Sequence, residues 1–155
     1  SISKLFYGMP LRMLLGDGAP EITARLKRPL KPEQIILVGG RAFDDAEVRF
    51  IESAGITTIS VREMETDAGI LEKAIRQTGN TVLYAHVDLD VLEPKEFPWV
   101  PLPEKGGLHG ETLRAALQTI KGTHDLAGLG IYEYIPSGTR IELMEFLTDL
   151  ILLSP

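Results

Sequence analysis

The sequence contains no cysteine, so neither a disulfide framework nor a thiolate metal site can form, and any metal must use oxygen or histidine ligands. It also lacks the ~18 consecutive apolar residues that a membrane-spanning helix needs. The net charge of -6 argues against general binding to nucleic acid. The chain has 155 residues, of which 44% are apolar and 25% charged. This length and composition are typical of one soluble domain with a buried core. We therefore expect neither nucleic acid nor membrane as a partner, and the composition is compatible with a reducing cytoplasm.

The most informative segment is residues 80–94, an apolar strand-like stretch that ends with Asp88 and Asp90 before the turn at Pro94. On an extended strand, residues two apart project to the same face, so both carboxylates would lie side by side, opposite Leu89. Two anions held this close repel each other, and one would take up a proton unless a cation neutralises both. The pattern indicates a hard divalent metal at the end of this strand. A pair of solvated loop carboxylates is the alternative.

Strand-like and helix-like segments alternate along the chain, which predicts parallel strands covered by helices. We expect an α/β fold with three αβα layers and a mostly parallel sheet. In such sheets ligands bind beyond the carboxyl ends of the strands, where Asp88, Asp90 and Glu133 fall. The proline-rich stretch 95–107 predicts a long loop, and such loops are more often functional than idle. The predicted strands are 34–40, 56–61, the Asp88 segment and 126–134, and the predicted helices are 9–15, 20–26, 44–53, 67–78, 110–121 and 139–153.

The segment HVDLDVLEP resembles the third metal motif of the ureohydrolases, manganese enzymes that include arginase, agmatinase and formiminoglutamase. Four further segments resemble family segments in the same order: YGMPLRMLLG, ILVGGRAFDDAE, PEKGGL and LAGLGIYEYIP. The resemblance covers nearly the whole chain. It implies an arginase-like α/β fold and a binuclear Mn²⁺ cofactor.

The resemblance extends over the C-terminal half of that fold only. The GGDH and DAHxD motifs, which supply the remaining metal ligands in the family, do not occur in this sequence. The resemblance therefore implies that residues 1–155 are the C-terminal part of one arginase-like domain, without its N-terminal metal-binding half. Either the chain is a fragment, or it is a half-length subunit that assembles with another. We expect little activity from it alone, and family members are commonly homo-oligomers.

The resemblance also assigns chemistry to the acidic residues. Asp88 would bridge two metal ions and Asp90 would bind one of them, and the water that the ions share would become hydroxide near neutral pH. That hydroxide would attack the central carbon of a guanidino, amidino or formimino substrate. Glu133 matches the glutamate that holds the substrate's planar cation by a charge-assisted contact. Its alternative is a surface carboxylate, although flanking tyrosines disfavour full exposure.

Asp44 and Glu47 match family positions at the turn that contacts the amino group of an amino-acid substrate. Their alternative is simple: an aspartate at this place caps the N-terminus of the following helix whether or not it binds anything. The sequence leaves both alternatives open. Arg41 is expected to anchor the same turn.

Proton transfer is where the sequence departs from the family. Tyr7 stands where a histidine proton shuttle is usual, and a tyrosine titrates near ~10, far from neutral pH. His109 replaces a small hydroxyl residue after the PEKGGL segment, and one hypothesis is that it takes over proton transfer. A solvent-facing histidine at a helix N-terminus is the alternative. His86 is expected to be a hydrogen-bonded core histidine.

Three functions are compatible with these observations. The first is a metal-dependent hydrolase of linear C–N bonds in guanidino or amidino compounds. The second is a catalytically degenerate arginase-like binding protein, which Tyr7 favours. The third takes VDLDVLE as the nucleophile motif of a haloacid-dehalogenase-like phosphatase, whose other motifs are not apparent.

Overall fold

The computed structural model describes residues 10–135 and residue 148. Helices and strands alternate through this part of the chain, as the sequence predicts. Apart from residue 148, which is helical, the predicted helix 139–153 lies outside the described residues, as does the Tyr7 segment. The elements are α1 (Pro10–Leu14), α2 (Pro20–Thr23), β1 (Ile36–Val38), α3 (Asp45–Ala54), β2 (Thr57–Ile59), α4 (Val61–Thr66), α5 (Ile70–Thr78), β3 (Val82–Asp88), α6 (Gly110–Thr123) and β4 (Asp125–Tyr132), with 3-10 helices at Pro32–Gln34 and Leu89–Val91.

Helix α4 is absent from the sequence prediction, which assigned Val61 to a strand. Ser60 accepts a hydrogen bond from the backbone N–H of Glu63, and the Glu63 carboxylate accepts one from the backbone N–H of Ser60. This reciprocal capping box satisfies two N–H groups that a helix N-terminus otherwise leaves without partners. The chain therefore leaves β2 after Ile59 and enters a helix at once.

The described strands form two two-stranded sheets, β1 with β2 and β3 with β4. β3 and β4 are parallel, with Val82 opposite Asp125 and Asp88 opposite Tyr132. Helix α6 lies between them in sequence and crosses over from the end of β3 to the start of β4, as a parallel connection requires. The carboxyl ends of both strands therefore lie at one edge.

Two compact units divide the described residues: residues 10–37 with 42–58, and residues 38–41 with 59–135. In the first unit, the guanidinium of Arg12 lies 4.6 Å from the ring centre of Phe50. In the second unit, one apolar cluster joins β3, the proline-rich loop and α6. The cluster consists of Val87, Leu89, Leu92, Phe97, Val100, Leu113 and Leu117.

The proline-rich loop belongs to this core. Phe97 and Val100 are buried, and Trp99 packs against the cluster with its ring edge-on to Phe97 at 5.2 Å. A backbone hydrogen bond from Ile135 to the Trp99 carbonyl ties the loop to the residues after β4. The loop is therefore a packed element that holds its place beside the strand ends. No helix among the described residues is long and apolar enough to cross a bilayer.

Candidate active site

Asp88 and Asp90 lie together at the end of β3. Asp88 is the last strand residue, and its Oδ1 accepts a hydrogen bond from the backbone N–H of Asp90 at 3.4 Å. The prediction that Asp90 continues the strand is wrong, because residues 89–91 form a 3-10 turn. Leu89 between them is fully buried in the core. The two acids are therefore neighbours, as predicted, but a 3-10 turn and not an extended strand brings them together.

The pair is electrostatically unfavourable when both acids are ionised. Burial, followed by the negative charge of Asp90, raises the pKa of Asp88 to about 6. The backbone hydrogen bond from Asp90 works in the opposite direction, and the charge of Glu133 adds a smaller upward contribution. A half-buried carboxyl between two other acids is an environment that a bound cation would relieve.

Glu133 follows the last residue of β4, one position beyond Tyr132, which is paired with Asp88. Its charge reaches Asp88, so the structure brings these two predicted site residues together. Its φ is +59°, the only positive value for a non-glycine residue in the described part of the chain. Such backbone costs of order 1 kcal/mol and recurs at functional sites. Glu133 is exposed, as expected if it were a surface carboxylate.

The described residues alone do not complete a metal site. No group of three or more histidines, aspartates or glutamates among them is arranged to hold a metal ion. Asp88 and Asp90 are the two neighbouring carboxylates that the end of β3 and the following turn bring together.

Two carboxylates that sequence reasoning missed hold His109 and the start of α6. Glu65 accepts a hydrogen bond from the backbone N–H of His109 at 2.9 Å, and Glu96 accepts one from Gly110 at 3.0 Å. Glu65 also accepts one from the hydroxyl of Thr112 at 2.8 Å. Both acids lie at the positive end of a 14-residue helix, where negative charge is stabilising.

The side chain of His109 contacts Glu96 through Nδ1. This contact, with the charges of Glu96 and Glu65, raises the pKa of His109 above its ordinary value. The pKa of Glu96 is lowered, first by the hydrogen bond from Gly110 and then by His109. His109 is therefore an exposed histidine at a helix N-terminus that has an acidic partner.

Asp44 and Glu47 form the N-terminal cap of α3, in the first unit. Asp44 Oδ1 accepts hydrogen bonds from the backbone N–H groups of Ala46 and Glu47, each at 2.8 Å. Glu47 in turn accepts one from the backbone N–H of Asp44 at 2.8 Å. The capping alternative is therefore confirmed for both residues. Their contact with substrate stays a prediction.

His86 differs from its prediction as a core residue. It is exposed, and its ring stacks on that of Tyr132 at 4.1 Å between centroids. Partial desolvation of its ring lowers the pKa of His86. The Tyr132 hydroxyl also lies 3.1 Å from that of Tyr84, and both rings lie over Gly130, where an added Cβ would clash with them. His86 faces away from the core because alternate residues of β3 point to opposite sides of the sheet.

Comparison with known proteins identifies the family. The family model described as "Arginase: Arginase family" matches residues 2–143. The chain belongs to the arginase family. This membership confirms the ureohydrolase resemblance and the arginase-like α/β fold, and it leaves no basis for the phosphatase hypothesis.

The arginase of Staphylococcus aureus strain COL is 29% identical over 142 residues, covering 88% of this chain and 47% of the relative. The arginase of Bacillus caldovelox is 33% identical over 114 residues, covering 70% and 38% respectively. The native structure of that arginase at pH 5.6 superposes with a TM-score of 0.83 at 26% identity, over 93% of this chain and 50% of that one. The chain thus spans about half the length of the curated relatives that it matches.

Proposed function

We propose that this arginase-family chain contributes half of the active site of a metal-dependent hydrolase of linear C–N bonds in guanidino, amidino or formimino compounds. The observation that carries the proposal is the Asp88–Asp90 pair at the end of β3, with the pKa of Asp88 raised to about 6. Such strand ends are where open α/β sheets bind their ligands. Perturbed acids in such a position are candidates for function.

The donor chemistry fits manganese. Carboxylate oxygens are hard ligands that suit Mn²⁺, and the chain offers no thiolate that would favour softer metals. Asp88 and Asp90 are the residues that would hold the ions, and a cation there would remove the repulsion that opposes ionisation of Asp88. When bound, a metal pair supplies a water acidic enough to act as a nucleophile near neutral pH.

Glu133 is proposed to bind the planar cation of the substrate. Its carboxylate can accept two parallel N–H bonds from a guanidinium or amidinium, which fixes the orientation of that group as well as its position. Glu133 directly follows Tyr132, the residue paired with Asp88, and its backbone is left-handed. The substrate's central carbon would then be held next to the acid pair.

His109 is proposed to transfer a proton during turnover. A histidine can both gain and lose a proton, and the contact with Glu96 raises the pKa of His109 and so favours its protonated form. Because Nδ1 contacts Glu96, Nε2 is the atom that would exchange the proton. We also propose that Tyr7, Asp44 and Glu47 contact the remainder of the substrate, in line with their positions in the family pattern.

The site is proposed to be completed by a polypeptide equivalent to the other half of the arginase relatives. One face of the β3–β4 sheet packs on the core, whereas on the other face Val82 and Tyr84 are 57% and 61% exposed. An uncovered apolar sheet face is typical of an interaction surface. Strand β3 ends at Asp88, so a polypeptide that covered this face would reach the acid pair. We also expect homo-oligomers of the completed protein.

The experiment is a complementation assay with Mn²⁺. The chain is mixed with the N-terminal half of Bacillus caldovelox arginase, and urea released from arginine or agmatine, or formamide from formiminoglutamate, is measured. We expect manganese-dependent product from the mixture and little from either half alone. Glu133→Gln should abolish product while the two halves still associate, and His109→Asn should lower turnover.

A catalytically degenerate binding protein is the second candidate, favoured by Tyr7 at the position where a histidine is usual. The same assay separates the two functions. Association of the halves with bound manganese, but with no product from any of the three substrates, would favour the binding protein. Product formation would exclude it.

A further inference from the structure

The side chain of Arg41 contacts the backbone of three separate segments. Its Nη1 donates to the carbonyls of Gly39 and Val91, each at 3.1 Å. Its Nη2 donates to the carbonyls of Asp90 at 2.7 Å and Glu104 at 2.8 Å. All five residues belong to the second unit. One guanidinium therefore joins the glycine turn after β1, the turn that carries Asp90, and the proline-rich loop.

These contacts give hydrogen bonds to carbonyls that the turn itself leaves without a partner. The last carbonyls of a helical turn have no partner within the turn, and Asp90 and Val91 are such residues in the 3-10 turn 89–91. A guanidinium presents five N–H donors in a rigid plane, whereas a lysine presents a single point charge on a flexible stem. The geometry needs the planar group, because two terminal nitrogens each serve two carbonyls.

The neighbouring backbone packs closely around the contacts that Arg41 makes. Gly39 has a φ of +72°, and a Cβ added there would lie 2.6 Å from Cγ2 of Val91. The Val91 carbonyl also accepts the backbone N–H of Leu108 at 2.9 Å. On the other side, the Glu93 carboxylate accepts N–H groups of Gly106 and Gly107 at 2.9 and 3.2 Å. The turn at Asp90 is thus held from both sides, and Arg41 is the side chain that reaches all three segments.

We propose that Arg41 is a positioning residue for the acid pair. It holds the carbonyls of residues 90 and 91, which sets the direction in which the Asp90 carboxylate leaves the turn. It fixes the proline-rich loop beside that turn through Glu104. The inference rests on the proposed function, in which Asp90 is a metal ligand, and it adds a residue whose role is to orient that ligand.

The test compares the wild-type chain with Arg41→Lys and Arg41→Gln by residue-resolved amide exchange in NMR. Arg76→Gln is the matched control, because it removes an exposed guanidinium that binds Glu72 on helix α5. We expect both Arg41 variants to increase exchange of the Leu92, Glu93 and Leu108 amides by about tenfold or more, with α5 amides unchanged. The control should leave all of these amides as in wild type.

Three results would overturn the proposal. The first is amide exchange in Arg41→Lys at the wild-type rate, and the second is a uniform increase in exchange across the whole chain. The third is failure of both Arg41 variants to fold, which would show that Arg41 serves general stability. A second measurement follows manganese affinity by electron paramagnetic resonance together with the melting temperature. We expect Arg41→Lys to weaken binding by about tenfold at a nearly unchanged melting temperature. Unchanged affinity would overturn the proposal. If the wild-type chain binds no manganese, the proposed metal role fails, and the exchange pattern still decides the role of Arg41.

Discussion

Truncation of Leu89 tests whether the acid pair is held in place by the hydrophobic core. Leu89 lies between Asp88 and Asp90 and is 0% exposed, within the cluster that joins β3, the proline-rich loop and α6. Leu→Ala at such sites costs about 2–5 kcal/mol, because apolar burial is lost and a cavity remains. Leu102→Ala is the matched control: it is the same chemical change at a residue that is 64% exposed, and it should cost less than about 0.5 kcal/mol.

The assay is urea denaturation followed by the fluorescence of Trp99, the only tryptophan, which packs against this cluster. With a slope of about 2 kcal/mol per molar urea, Leu89→Ala should lower the midpoint by roughly 1–2.5 M with little change in slope. The midpoint of Leu102→Ala should stay near that of wild type. Equal midpoints for the two variants would refute the reasoning that Leu89 anchors the turn.

Three further predictions concern the loop and the helix caps. Gly107→Ala should destabilise the chain by about 1–3 kcal/mol in the same assay, because its Cβ would lie 2.3 Å from the Leu92 carbonyl carbon; an unchanged midpoint would contradict this close approach. Asp44→Ala should cost about 0.5–2 kcal/mol through loss of the α3 cap, read from thermal unfolding by circular dichroism, and a loss below that range would show that the cap is dispensable. Because the pKa of His109 is raised in the folded protein, its contribution to folding stability is complete below pH of about 6.5 and is lost as pH rises through the folded pKa. The pKa of Glu96 is lowered, so its contribution to folding stability is lost in acid, below pH of about 4.5. The stability difference between wild type and Glu96→Gln should therefore be largest between these values, and a difference that does not vary from pH 4 to 9 would count against the ion pair.

Much of the fold could be predicted because it follows local rules. Helix α5 shows the three- and four-residue spacing of an amphipathic helix, and Leu71, Ala74 and Ile75 are indeed its buried residues. The strand–helix alternation gave the parallel pairing of β3 with β4, and hence the shared edge where Asp88 and Glu133 lie. Helix α4 was missed although its capping box, Ser60 with Glu63, is visible in the sequence.

The rest depends on contacts between distant parts of the chain. The caps that Glu65 and Glu96 provide for α6 join residues 13 to 47 positions apart, and no local pattern indicates which acid will reach the helix. The turn at Asp90 follows from burial of Leu89, whose depth depends on the proline-rich loop and α6. His86 was placed in the core because strand periodicity shows which residues share a face, but not which face is covered.

Manganese binding at the acid pair is the most direct test of the central claim. Mn²⁺ is titrated into the wild-type chain, Asp88→Asn and Asp90→Asn, and the free ion is followed by electron paramagnetic resonance, with Asp125→Asn at the start of β4 as control. We predict weak binding by wild type and the control, and a loss of about tenfold or more in either acid-pair variant. Equal affinity in all four proteins would contradict the account.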